Sequence, residues 1–162
     1  MNIDIVKIDY NQPLHAKALI DLLDAYAMDP MGGSHPLSAH ARQNLVAALA
    51  QRPTAFGVLA FAEGEPAGLV NCFEGFSTFA CKPLVNIHDV VVLPAYRGQK
   101  IAHRMLRQVE QLARERGCCK LTLEVLQGNR VAQQFYRAFG FDGYSLLAEN
   151  GNAVFLQKIL SD

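Results

Sequence analysis

The spacing of apolar positions changes along the chain, and each change marks an element. Residues Asn2 to Asp9 alternate, with Ile3, Ile5 and Ile8 β-branched, the pattern of an opening strand. From Pro13 onward, Leu14, Ala18, Leu22 and Ala25 recur every three or four residues, which predicts a helix to about Ala27. The stretch Asp29-Pro30-Met31-Gly32-Gly33-Ser34-His35-Pro36 breaks it. Ser38 then suits the cap of a second helix carrying Ala41, Leu45, Ala48 and Leu49. After Pro53, Thr54 to Ala62 and Ala67 to about Phe76 read as two strands joined by the turn Glu63-Gly64-Glu65-Pro66. Lys82-Pro83 reads as a break, and Leu84 to Leu93 as a further strand whose Val90-Val91-Val92 run points to burial on both faces.

The pattern is clearest in the next segment. Ile101, Met105, Val109 and Leu112 form one stripe over residues 101 to 116, with Arg104, Arg107, Gln108, Gln111 and Arg114 on the remaining surface and Gly117 as the stop. Lys120, Thr122 and Glu124 alternate with Leu121, Leu123 and Val125, a strand of period two. Asn129 suits the cap of a short helix with Ala132, Phe135, Tyr136 and Phe139 on one side and Gly140 at its end. Short strands near Tyr144 to Leu147 and Ala153 to Lys158 complete the order β-α-α-β-β-β-α-β-α-β-β. No repeat or linker interrupts it, so a single mixed α/β domain over residues 1–162 is expected.

Composition narrows the class. The 162 residues carry 15 Lys+Arg against 15 Asp+Glu, and a net charge of zero argues against a general nucleic-acid binder. The neutrality is local bookkeeping: residues 1–96 carry −4, residues 97–120 carry +5 and residues 121–162 carry −1. The longest apolar run, Ala55 to Ala62, falls far short of a membrane span, so no membrane partner is expected. Met1 to Ile8 shows no basic segment followed by an apolar one, and four Cys in a chain of this length fit reduced thiols. A cytoplasmic location is the resulting expectation.

The basic segment begins where a buried strand turns into an amphipathic helix, at Val90-Val91-Val92-Leu93-Pro94-Ala95-Tyr96-Arg97-Gly98-Gln99-Lys100-Ile101-Ala102. A helix N-terminus offers unpaired N–H groups and partial positive charge, which suits phosphate. Neither Gly-x-Gly-x-x-Gly nor the Walker sequence is present.

These residues resemble the GNAT superfamily of N-acetyltransferases. Arg97-Gly98-Gln99-Lys100-Ile101-Ala102 is similar to its pyrophosphate motif, Arg/Gln-x-x-Gly-x-Gly/Ala, with Lys100 at the place of the middle glycine. Leu123-Glu124-Val125, Asn129, Ala132, Phe135-Tyr136 and Gly140-Phe141 resemble the second acetyl-CoA segment. The close likeness spans about residues 84 to 141. It implies a central, mostly antiparallel mixed sheet of six to seven strands flanked by about four helices. It also implies acetyl-CoA as co-substrate, with the pyrophosphate on Arg97 to Ala102, pantetheine paired to Val90, Val91 and Val92, Asn129 as a further cofactor contact, and Tyr136 as the acid that protonates the departing thiolate. Lys100 is expected in helical geometry, where its side chain is tolerated and its ammonium attracts phosphate.

The implied reaction carries acetyl directly to a primary amine of a small molecule or a peptide N-terminus, with no Cys nucleophile. Glu124 is the tentative base on the same resemblance; His88 and Asp89 are rivals, and strand alternation puts those two on opposite faces. A path through water alone is the remaining option. The resemblance places the acceptor between Met28 to Pro36 and Cys72 to Lys82, where Asp29 and Glu74 could attract a cation beside Phe73, Phe76 and Phe79. Cys72, Cys81, His88, His35 and His40 lack metal-ligand spacing, so no metal is expected. A homodimer is compatible with this reading, and a catalytically silent acyl-CoA-binding module is the alternative to an enzyme.

Overall fold

The computed structural model describes residues 1–160. Two compact units make up the chain, Met1–Leu123 and the segment from Glu124 onward. The first contains strands β1 (Ile3–Lys7), β2 (Ala55–Ala62), β3 (Glu65–Ser77), β4 (Lys82–Val92) and β5 (Leu121–Leu123). It also holds helices α1 (Pro13–Met28), α2 (Ala39–Ala50) and α3 (Ile101–Glu115). The strands form one sheet in sequence order, antiparallel except for the parallel β4/β5 pair.

Local chemistry explains most boundaries. Pro13 opens α1, and the Ser38 hydroxyl accepts the Ala41 N–H at 3.1 Å to cap α2, as the sequence predicts. Pro83 lies inside β4 rather than before it. Its carbonyl accepts the Cys119 N–H at 2.8 Å, so its ring nitrogen also lies on the side away from β3, ahead of the start of β5, where no ladder bond is lost.

Alternation sorts the sheet into two apolar faces. Ala55, Leu59, Phe61, Leu69 and Val91 pack with Ala18, Leu19 and Leu22 of α1 and Leu49 of α2. On the other face, Met105 of α3 lies against Gly68, where an added Cβ would meet Met105 Cε at 2.8 Å. Ile101, Met105, Leu106, Val109, Leu112 and Ala113 of α3 are all buried, which is the predicted stripe.

The second unit contains α4 (Arg130–Phe139) and a short 3-10 turn at Ala148–Asn150. Phe135, Tyr136, Phe139 and Phe141 form its aromatic cluster, with ring centroids 5.4 to 6.4 Å apart. The two strands expected near 144–147 and 153–158 are not formed among the described residues, so the sheet has five strands rather than six or seven. One backbone bond, from the Ala153 N–H to the Tyr144 carbonyl at 2.8 Å, links these segments. Leu146-Leu147 and Val154-Phe155-Leu156 are apolar without alternation, so they carry no pattern that sets a pairing register.

All four cysteines are free thiols. Burial pushes the Cys72 thiol well up, with Asp89 adding to the effect and Arg116 opposing it. Burial likewise raises the Tyr10 phenol to about 12, helped by Cys72. The folded chain thus retains protons that the unfolded chain releases above pH 9 to 10, and stability falls as pH rises through that range. Denaturation midpoints should be flat from pH 7 to 8.5 and decline above pH 9, less steeply in Cys72→Ala. In the native protein, alkylation followed by mass spectrometry should label exposed Cys81 and Cys119 before Cys72.

Candidate active site

The site is organised by an irregularity in β4. Asn71 of β3 is in register with Asp89, yet Cys72 is in register with Ile87, so His88 has no partner and forms a β-bulge. The parallel ladder to β5 covers only Val85, Asn86 and Ile87, opposite Leu121, Thr122 and Leu123, and ends where the bulge begins. Beyond it, the Leu93 N–H donates to the Ala67 carbonyl at 3.0 Å. Alternation from Leu93 turns the polar groups of Val91 toward β3 and those of Val90 and Val92 away from it. The backbone facing away from β3 therefore belongs to Val90 and Val92.

The bulge also corrects the expectation that His88 and Asp89 lie on opposite faces. His88 meets the ring of Phe73 edge-on at 5.4 Å, and Phe73 packs against the α1/α2 core. Asp89 accepts a hydrogen bond from Asn71 Nδ2 at 3.0 Å, and Asn71 is two residues from Phe73 on the same face of β3. An unmatched residue breaks the period of two, and both side chains reach one face. Tyr26 of α1 lies near this face; burial raises its phenol, and the charges of Asp89 and Asp29 raise it further.

Asn71 itself was not singled out by sequence reasoning. It is 4% exposed, and its Oδ1 has no hydrogen-bond partner among the described residues. An orphaned amide oxygen of this kind costs about 1–3 kcal/mol. The available sequence clue was one amide within the apolar run Leu69-Val70-Asn71-Cys72.

After β4, a 3-10 turn at Pro94–Tyr96 leads to Arg97, whose Nε donates to the Val92 carbonyl at 3.1 Å. Its guanidinium also pairs with Asp29 at 3.7 Å. Gly98 has φ +80° and Lys100 has φ +61°. Lys100 therefore occupies the left-handed region, not the helical geometry expected. The chain must redirect between Gly98 and Ile101 to enter α3, and the conformation costs a residue with a Cβ about 1–2 kcal/mol. Lys100 supplies no side-chain cap to α3, whose first turn holds no acidic residue. The α-helical ladder begins with the Arg104 N–H to the Lys100 carbonyl at 3.0 Å, leaving the amides of Ile101 and Ala102 outside it. Ile101 is 1% exposed, so only its backbone can serve a ligand.

The proposed acceptor segments are divided. Asp29 accepts the Met31 N–H at 2.9 Å through Oδ1 and faces Arg97 through Oδ2. Glu74 approaches Arg116 at 4.0 Å and accepts from the Cys118 thiol at 3.9 Å, beside the end of α3. It follows Phe73 on the strand and points to the opposite face, away from Asp89. Phe76 and Phe79 are exposed.

In the second unit, Asn129 caps α4 through Oδ1, which accepts the Ala132 N–H at 3.2 Å. Tyr136 is half-buried among Phe135 and Phe141. Glu124 is exposed and lies beyond β5, which stops at Leu123 instead of running to Val125. Among the described residues no cluster of three metal-ligating side chains occurs, and no helix is long and apolar enough to cross a membrane.

The sequence matches the acetyltransferase (GNAT) family over residues 16–141. It is 35% identical over 86 residues to thialysine N-epsilon-acetyltransferase of Bos taurus, covering 49% of each chain. It is 38% identical over 80 residues to streptothricin acetyltransferase of Streptomyces lavendulae, covering 49% of this chain and 40% of that one. The chain thus matches about half the length or less of these curated relatives. A solved probable acetyltransferase superposes with a TM-score of 0.80 at 22% identity, covering 98% of this chain and 99% of that one. Aminoglycoside N-acetyltransferase AAC(6')-Iy in complex with CoA gives 0.75 at 19%, covering 97% and 95%. With the match extending through the bulged strand, the turn into α3 and the helix bearing Tyr136, the chain belongs to the acetyltransferase (GNAT) family.

Proposed function

We propose that the protein is an N-acetyltransferase that carries the acetyl group of acetyl-CoA directly to a primary amine of a small molecule or a peptide N-terminus. The observation that carries this reading is the bulge at His88, which ends the β5 ladder and turns the polar groups of Val90 and Val92 outward, just ahead of the uncapped start of α3. Outward amide groups suit an extended, amide-containing arm, and the first-turn amides with Arg97 and Lys100 suit its pyrophosphate. Asn129 would add a contact. The family match crosses both compact units, which supports treating residues 1–162 as one acetyltransferase domain. The relative named as a thialysine N-epsilon-acetyltransferase supports an amine acceptor.

Acetyl-CoA supplies an activated thioester acyl group, so the chain's own residues need only align the amine and move two protons. A phenol is an acid that can donate a proton, and Tyr136 would give its own from the phenol oxygen to the departing thiolate. A lysine-like amine gives up a proton at a cost of about 4 kcal/mol near neutral pH, against under about 1 for an α-amine, so the need for a base depends on the acceptor. The family likeness favours Glu124 as that base. A second reading gives the role to Asp89, because its carboxylate is half-buried, oriented by Asn71 and placed one residue before the outward-facing Val90.

Thiol release from acetyl-CoA across a panel of amines, polyamines, aminoglycosides and N-terminal peptides tests the function. Tight acetyl-CoA binding without amine-stimulated release would favour a silent cofactor-binding module. Tyr136→Phe should lower kcat by about 100-fold or more and leave acetyl-CoA affinity nearly intact; an unchanged kcat across pH would remove the acid assignment. Lys100→Gly should raise stability by about 1 kcal/mol by relieving the positive φ, while loss of the ammonium weakens CoA binding a few-fold. Chemical denaturation and calorimetric titration read the two effects separately.

A further inference from the structure

We propose that Asn71 is a positioning residue for acetyl transfer, holding the Asp89 carboxylate where it receives the acceptor's ammonium proton. The inference rests on the reading of the protein as an N-acetyltransferase with Asp89 as base. Three adjacent strands place Gly57, Asn71 and Asp89 in one cross-strand row. Gly57 leaves room for it: a Cβ there would lie 2.6 Å from Ile8 Cδ1, 2.7 Å from the Val70 carbonyl and 3.5 Å from Asn71 Oδ1. Among the described residues Asn71 is the buried polar residue of an otherwise apolar core, and its side chain makes one hydrogen bond, from Nδ2 to Asp89 Oδ2.

Sheet stability does not account for an amide at this position. A leucine has the same branched heavy-atom skeleton, though more bulk, matches the apolar neighbours and leaves no orphaned oxygen. What the amide supplies is a donor to a half-buried carboxylate beside a bulge, where the strand is locally irregular. The bond fixes Oδ2 and leaves Oδ1 of Asp89 for an incoming ammonium group. His88 lies beside Asp89 on β4, and the charge of Asp89 reaches Tyr26 of α1 and Cys72 of β3; Asp29, which also acts on Tyr26, is already paired with Arg97, and the nearby Arg116 acts on Cys72. With Asp89 making no ion pair among the described residues, a cationic acceptor is the complementary occupant. In the transfer step a nitrogen–hydrogen bond of the ammonium breaks and its proton passes to Asp89. The freed lone pair forms the nitrogen–acyl bond as the acyl–sulfur bond breaks, the CoA thiolate leaves with that electron pair and is protonated, and loss of a second nitrogen proton leaves the neutral amide.

The test compares Asn71→Leu, Asn71→Ala, Asp89→Asn and the double variant Asn71→Leu/Asp89→Asn in the full chain. Three quantities are measured: acetyl-CoA Kd, kcat for amine-dependent thiol release, and Tm. Asn71→Leu should keep or raise Tm, leave acetyl-CoA Kd unchanged and lower kcat about tenfold or more. Asn71→Ala should lower kcat similarly if leucine proves too bulky to fold. The double variant should lose no more than Asp89→Asn alone, because the amide acts through the carboxylate. Multiplicative losses, a kcat that tracks a lowered Tm, or an unchanged kcat would each overturn the role of Asn71. An Asp89→Asn variant with full activity would overturn it too and move the base elsewhere. If the unaltered protein transfers acetyl to no amine in the panel, the function itself falls, an outcome visible before any variant is made.

Discussion

The bulge at His88 is the constraint on which the rest of the site depends. β3 and β4 form the longest pairing in the sheet, and a single unmatched residue within it has consequences on both edges of β4. On one edge it stops the parallel ladder to β5 after three residue pairs. On the other it sets Asp89 against Asn71. A regular strand would have sent His88 and Asp89 to opposite faces. One extra residue therefore both opens a stretch of backbone and gathers polar side chains onto the α1 face.

Electrostatics then separates two regions within the first unit. The basic excess of residues 97–120 starts at the turn into α3, where Arg97 and Lys100 precede a helix N-terminus with no acidic residue in its first turn. The acidic groups Asp29 and Asp89 belong to the α1 side of the sheet, and their charges both act on Tyr26. Arg97 joins the two regions, bonded to the Val92 carbonyl and paired with Asp29. Such a pair, largely exposed on the Arg97 side, contributes little to stability, about 0–1 kcal/mol. Its geometry nonetheless links the turn before α3 to the loop after α1.

Among the described residues four non-glycine residues, Ser34, Glu63, Cys81 and Lys100, have a positive φ, and one of them, like Asn71, bears its cost near the expected site. Lys100 adopts a left-handed backbone where glycine would be unstrained, and Asn71 buries an amide oxygen without a partner among the described residues. Both lie at or beside the residues expected to act. Strain and unsatisfied polarity gathered in this way are what local sequence rules miss, since those rules describe what stabilises an element in isolation.

The sequence by itself determined the elements whose patterns are strong and local. The stripe Ile101, Met105, Val109, Leu112 specified α3, Pro13 and Ser38 marked helix starts, and Asn129 marked the cap of α4, because each depends on contacts within a few residues. The motif from Arg97 to Ala102 and the residues around Tyr136 likewise made the family readable. Tertiary structure alone decided the bulge, since an unmatched residue is defined only against the partner strand. It also decided that Glu74 points away from Asp89, that β5 ends at Leu123, and that Lys100 has a positive φ. The C-terminal apolar segments show the same limit: hydrophobicity without alternation does not choose a partner, and pairing is a property of two strands.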